Sequence, residues 1–125
     1  MNKVPDDLRY AASHEWLRAD GTAGITDHAQ AELTDVVFVE LPKVGAEAKV
    51  GEQICVVESV KAASDIFAPA SGKVVAVNDA LTSNPALLNT DPYGEGWIFR
   101  LELAQAAGAD GLKSPADYRA QIGAA

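Results

Sequence analysis

Cysteine is nearly absent from this 125-residue chain: Cys55 stands alone, so no internal disulfide can form, which fits a reducing compartment. It sits in the apolar run Ile54–Val57, where a buried, inert thiol is expected rather than a nucleophile. No apolar run approaches the ~20 residues that cross a bilayer. Basic residues are scarce too: ten Lys and Arg face eighteen Asp and Glu. The net charge of −8 argues against nucleic acid and anionic membranes as partners and leaves proteins with basic faces. The opening MNKVPDDLRY has no apolar segment after its lysine and is not rich in arginine and serine. A cytoplasmic protein is expected, or a mitochondrial matrix one only if a transit peptide has been removed.

The signatures of self-sufficient catalysts are also missing. His14 and His28 form no HxxxH pair, and a lone cysteine offers no zinc-binding pair, so no metal site is expected. Gly94-Glu95-Gly96 lacks the third glycine and the strand-to-helix setting of a phosphate loop. No GxSxG elbow presents a serine. No catalytic residue is therefore assigned.

What remains is a β-rich chain with 48% apolar residues, enough for one domain (1–125) to bury about two-thirds of its unfolded surface. His14–Arg18 and Thr22–Thr26 flank Asp20-Gly21, a turn that needs positive φ, and so predict a first hairpin. Asp27 reads as a helix N-cap, with Gln30 completing a capping box over a helix of about His28–Leu33. Val36–Leu41 predicts a strand ended by Pro42. Lys73–Asn78 predicts another after the turn Pro69-Ala70-Ser71-Gly72. Asn84-Pro85 predicts a capped helix through Leu88. Trp97–Leu103 reads as a strand with Trp97, Phe99 and Leu101 on one face and Ile98, Arg100 and Glu102 on the other. Gly108–Gly111 is expected to break the chain, and Ser114 to cap a helix over Pro115–Gln121. Short strands with close turn signals and no βαβ alternation predict two small packed sheets with helices at their ends. The approximate copies VGEQICVVES and SGKVVAVN, on either side of Lys61, suggest a quasi-twofold pair.

The centre of the pattern is Ile54–Pro69, ICVVESVKAASDIFAP, read as a hairpin whose small tip residues leave Lys61 unshielded. A lysine that forms a Schiff base must be desolvated or flanked by cations. Lys61 is instead flanked by Glu58 and Asp65, which favour its charged form. The residues thus point to an amine that another enzyme acylates, or else to an ordinary turn lysine.

ESVKAASDIFAP, with SG after it, resembles the lipoyl-attachment segment of glycine cleavage system H proteins. The likeness extends to SHEWLR, GITDHAQAELTDVVFVELPKVG and VNDALTSNPALLNTDPYGEGWIF, in order, from Leu8 to Leu103. It implies a mainly β barrel-sandwich hybrid: a flattened barrel of two small antiparallel sheets with short helices. The core would be about 8–103, with a C-terminal helical extension over 104–125. It further implies lipoate bound covalently to Lys61, in a carrier that is not itself an enzyme. The lipoyl arm would take aminomethyl from glycine decarboxylase, deliver it to an aminomethyltransferase, and be reoxidised by dihydrolipoyl dehydrogenase. Glu58 and Gly72 match positions used by the lipoate ligase or octanoyltransferase that modifies the lysine. Ser13, Glu15 and Asp65 match positions around the cleft that shelters the loaded arm. A carboxylate there would pair with the cationic amine, although on its own Glu15 reads as a solvated strand acid.

Lipoyl domains of oxoacid dehydrogenases typically carry DKA and biotinyl carriers MKM; neither pattern surrounds Lys61, and neither explains SHEW or GITDHAQ. An H-like relay that donates lipoate to other enzymes, and a structural module whose lysine is never modified, remain open at this level.

Overall fold

The computed structural model describes residues 3–103 and 112–123. In chain order the elements are β1 (Arg9–Tyr10), β2 (Glu15–Leu17), β3 (Thr22–Ile25), α1 (Asp27–Leu33), β4 (Val36–Glu40), β5 (Glu47–Ala48) and β6 (Gln53–Ser59). β7 (Ala63–Phe67), β8 (Gly72–Val77), α2 (Ala80–Ser83), α3 (Leu87–Thr90), β9 (Phe99–Leu103) and α4 (Pro115–Ile122) complete the series. Two open antiparallel sheets result, ordered β1-β2-β3-β9-β8-β5 and β4-β6-β7. This is the mainly β sandwich expected from the sequence. The two approximate sequence copies lie in different sheets, with β6 in the smaller and β8 in the larger.

Apolar side chains of both sheets meet in one main cluster that includes Ile25, Val39, Val57, Ile66, Val74, Phe99 and Leu101. Cys55 lies in this cluster, and burial pushes its thiol up to about 12, which keeps it protonated. A second cluster, Val4, Leu8, Tyr10, Trp16 and Tyr118, fastens α4 to the larger sheet. Tyr10 and Tyr118 stack there with ring centroids 4.6 Å apart. The Tyr10 backbone exchanges two hydrogen bonds with Lys113 just ahead of α4.

Several boundaries differ from the sequence expectation. The N-cap of α1 is Thr26, not Asp27: its hydroxyl accepts the Ala29 amide at 3.2 Å, and its carbonyl accepts that of Gln30. Gln30 instead donates its side-chain amide to the Asp27 carboxylate at 2.6 Å, so the acid sits in the first turn. Asn84 does not open a helix, because its N–H is already given to the Ala80 carbonyl as it ends α2. α3 follows one turn later, after Ala86.

Regular alternation in the last strand begins only at Phe99. Ile98, expected on the same face as Arg100 and Glu102, is fully buried in the main cluster, whereas half-buried Trp97 packs on the second cluster. Ser114 caps α4 as expected, accepting the Asp117 amide at 3.2 Å. The Gly108–Gly111 break lies outside the described residues.

Candidate functional site

The lysine segment is the tight hairpin expected from the sequence. β6 and β7 run into the small polar segment as far as the Glu58–Ala63 pair. Ser59 replaces glycine as the turn-maker: its hydroxyl oxygen accepts the amides of Lys61 and Ala62 at 3.2 and 3.1 Å. The Val60 amide crosses to the Asp35 carbonyl, which ties the tip to the start of β4. Every tip amide is thereby satisfied without burying the lysine. Lys61 is exposed, and its Nζ donates to the Glu32 carbonyl oxygen at 3.3 Å. A cation at the last turn of α1 also meets the negative end of the helix.

Glu32 borders a cleft between α1, β7 and the segment entering β2. α1 contributes His28, Glu32 and Leu33, β7 contributes Ser64 and Ile66, and the entering segment contributes Ser13 and His14. The Lys61 amine therefore stands at the rim of a pocket whose walls are part apolar and part polar. Val37, Phe38 and Val60 leave apolar side chains exposed beside the same hairpin.

Ser13 connects this cleft to a buried acid. Its hydroxyl donates to Oε1 of Glu15, while Oε2 accepts the Phe67 amide at 3.1 Å. Glu15 is only 1% exposed, which overturns the reading of it as a solvated strand acid. Burial raises its carboxyl to about 7, and the two hydrogen bonds only partly offset that shift. Near neutral pH this group exchanges readily between a proton and a negative charge.

His14 adopts φ +77°, in the left-handed region, and its Nδ1 lies 2.8 Å from Oη of Tyr118. Its ring is tilted against that of His28 at 4.7 Å, and His28 Nε2 pairs with Glu32 Oε1 at 2.9 Å. Burial, then the neighbouring His28, lower the basicity of His14, against a smaller opposing effect of Glu32. None of His14, His28, Glu32 or Tyr118 was singled out from the sequence as a cleft residue.

The other expected positions are separated by the fold. Glu58 is exposed on β6, between Phe38 of β4 and Ala63 of β7. Asp65 lies between the two cleft residues of β7 but is exposed, and it accepts the Gln53 side-chain amide at 3.5 Å. Neither carboxylate is ion-paired with Lys61. Gly72 is in the other sheet, within β8 rather than in a turn. A Cβ there would collide with the Glu102 carbonyl oxygen, so packing alone demands glycine.

Residues 8–124 match the family model described as glycine cleavage H-protein. A glycine cleavage system H protein of Deinococcus deserti is 61% identical, the match covering 94% of this chain and 97% of the relative. One of Opitutus terrae is 58% identical, over 98% and 100% respectively. The crystal structure of a glycine cleavage system H protein from Mycobacterium marinum superposes with a TM-score of 0.89 at 40% identity. That match covers 96% of this chain and 99% of the other.

Proposed function

Because the chain belongs to the glycine cleavage H-protein family, whose members serve the glycine cleavage system as lipoyl carriers, we propose that Lys61 is the residue that carries its lipoate. The observation that supports this reading is the bond from Lys61 Nζ to the Glu32 carbonyl at the rim of the cleft. An exposed amine can be reached by a modifying enzyme, and its position lets a tether fold back into an adjoining pocket. Ile25, Leu33 and Ile66 suit the hydrocarbon part of such a tether, and Ser13 with Glu15 behind it suits a polar end.

Lipoate, amide-linked to Lys61, would supply a redox-active disulfide, chemistry that the chain's own side chains lack. The chain itself supplies presentation and shelter and performs no catalysis. Acylation removes the Lys61 charge, so the electrostatic part of its hold on the end of α1 is lost. Glu15 supplies a carboxyl poised to ionise, and a cationic amine beside it would favour the ionised form. Ser13 keeps that carboxyl oriented by donating to it in the absence of cargo. Asp65 lies between the two cleft residues of β7 in sequence, but it is exposed and accepts from Gln53, and it does not line the cleft.

The partners that follow are glycine decarboxylase, the aminomethyltransferase and dihydrolipoyl dehydrogenase, which would meet the same exposed hairpin in turn. A lipoate ligase or octanoyltransferase would install the group, reading Glu58 directly and depending on Gly72 through the sheet geometry it permits. Intact mass of the protein made with and without lipoate tests the attachment. A lipoyl increment on a Lys61 peptide is expected, and it should vanish in Lys61→Arg. No increment from lipoate-competent cells would overturn the reading.

A further inference from the structure

Hydrogen-bond accounting around the cleft assigns a tautomer to His14. Thr26 is fully buried, and its Oγ1 already accepts the Ala29 amide at the start of α1. The hydroxyl hydrogen of Thr26 must itself be donated, and among the described residues its partner is Tyr118 Oη at 2.7 Å. Tyr118 is also fully buried and has a single hydrogen to give; its other neighbour is His14 Nδ1 at 2.8 Å. A proton on Nδ1 would turn the His14–Tyr118 bond round and strand either the Tyr118 or the Thr26 hydrogen away from water, the expensive outcome for a buried donor. The hydrogens therefore run from Thr26 to Tyr118 to His14. This leaves the imidazole proton on Nε2, the ring atom not engaged by Tyr118.

The groups facing this ring are His28 and Glu32 from α1 and Tyr118 from α4; Ser13 and Glu15 are its neighbours in the chain. We propose that the Thr26–Tyr118–His14 chain fixes His14 as an Nε2–H donor to the seated arm, gripping the oxygen of its lysine amide while Glu15 serves the cationic end. This rests on the cleft being the seat of the arm. One segment, Ser13 to Glu15, then offers the arm two different groups: a neutral N–H donor and, behind Ser13, a carboxylate. Because the amide end is fixed at Lys61, the N–H donor would hold the tethered end of the arm and the carboxylate its free, cationic end. The C-terminal helix becomes part of the site, because Tyr118 is the only group of α4 in the relay.

Long-range proton–nitrogen correlation spectra of labelled protein without lipoate read the tautomer independently of arm binding. Protonated Nε2 and acceptor Nδ1 are expected for His14 near pH 7.5, and a proton on Nδ1 would overturn the assignment. In lipoylated, loaded protein, His14→Gln places an amide N–H close to the Nε2 position, whereas His14→Asn better tolerates the left-handed φ. Loss of the carried amine to water is expected to stay near the parent rate in His14→Gln. It should be roughly fivefold faster in His14→Asn, the size expected for one net hydrogen bond. A purely backbone role for residue 14 would reverse that order, and equal release from both variants would also remove the donor role. Failure of the carrier reading would register separately, as a missing lipoyl mass on Lys61.

Discussion

The Phe67 amide donates to Oε2 of Glu15 at 3.1 Å, so the second arm of the lysine hairpin is tied to an acid at the start of the first hairpin. That acid has a folded-state value of about 7 against an ordinary 4.5. Between those values the native state holds a proton that the unfolded chain has released, so stability falls as pH rises through the window and levels off above it. The parent protein should be more stable at pH 5 than at pH 8, by no more than roughly 3 kcal/mol from this group. Glu15→Gln should flatten the difference, since its amide oxygen can still accept from Phe67 while its NH₂ donates to Ser13. Urea titrations of both proteins at the two pH values check this; parallel pH profiles would show that Glu15 is not the titrating group.

Glu58 tests whether the hairpin is read by a modifying enzyme. Its side chain is exposed, and its strand pairing to Phe38 and Ala63 is made by the backbone. Glu58→Ala should therefore change stability by less than about 0.5 kcal/mol. Lipoylation in vitro should nevertheless slow several-fold. Unchanged modification kinetics would return Glu58 to the ordinary surface acids.

Gly72 makes the opposite prediction. It pairs with Leu103 on one side and Ala48 on the other, and a methyl group would press into the Glu102 carbonyl. Gly72→Ala should lose about 1–3 kcal/mol through overpacking, seen as a drop of several degrees in Tm. Since Gly72 and Lys61 lie in different sheets, any fall in lipoylation should track the unfolded fraction. A defect that persists at a temperature where the variant is fully folded would indicate direct reading of the glycine.

The parts of this architecture written in local chemistry were legible in the sequence. Asp20-Gly21 marked the first turn, and Gly21 does take φ +93°. Ser114-Pro115 marked α4, and the alternation of Phe99 and Leu101 with Arg100 and Glu102 marked β9. Lys61 stood out because small residues surround it. Burial of Glu15 was not legible: strand periodicity cannot say whether an acid will be covered by a distant segment, here β7. The His14–Thr26–Tyr118 chain spans 104 positions, and its geometry depends on a left-handed backbone at a histidine, which no local rule demands. One signal was available. The register Glu15–Ile25 of the first hairpin places His14 opposite Thr26, two residues before His28. The shift of the α1 cap from Asp27 to Thr26 belongs with this, because both residues are good caps and tertiary contacts with Tyr118 decide between them.

Tyr118 joins α4 to the rest of the protein in two separable ways. Its ring stacks on Tyr10 within the second apolar cluster, and its hydroxyl bonds both Thr26 and His14. Tyr118→Phe keeps the ring and removes only the hydroxyl, leaving a buried threonine hydroxyl and one imidazole nitrogen without their partner. The expected loss is about 1–3 kcal/mol from those two groups. Tyr118→Ala adds the loss of the stack and of the buried volume, and should cost about 3–5 kcal/mol. The order matters more than either value: if α4 were held by apolar packing alone, Tyr118→Phe would melt with the parent. A Tm lowered in Tyr118→Phe but restored by the further change Thr26→Val, which removes the stranded hydroxyl at similar shape, would trace the loss to that bond. That double variant gives up the Thr26 cap as well, so recovery should be partial, by about the 1 kcal/mol a cap contributes. A double variant that shows no recovery even after subtracting the loss measured for Thr26→Val alone would place the cost instead on His14, whose Nδ1 would then be the group left without its partner.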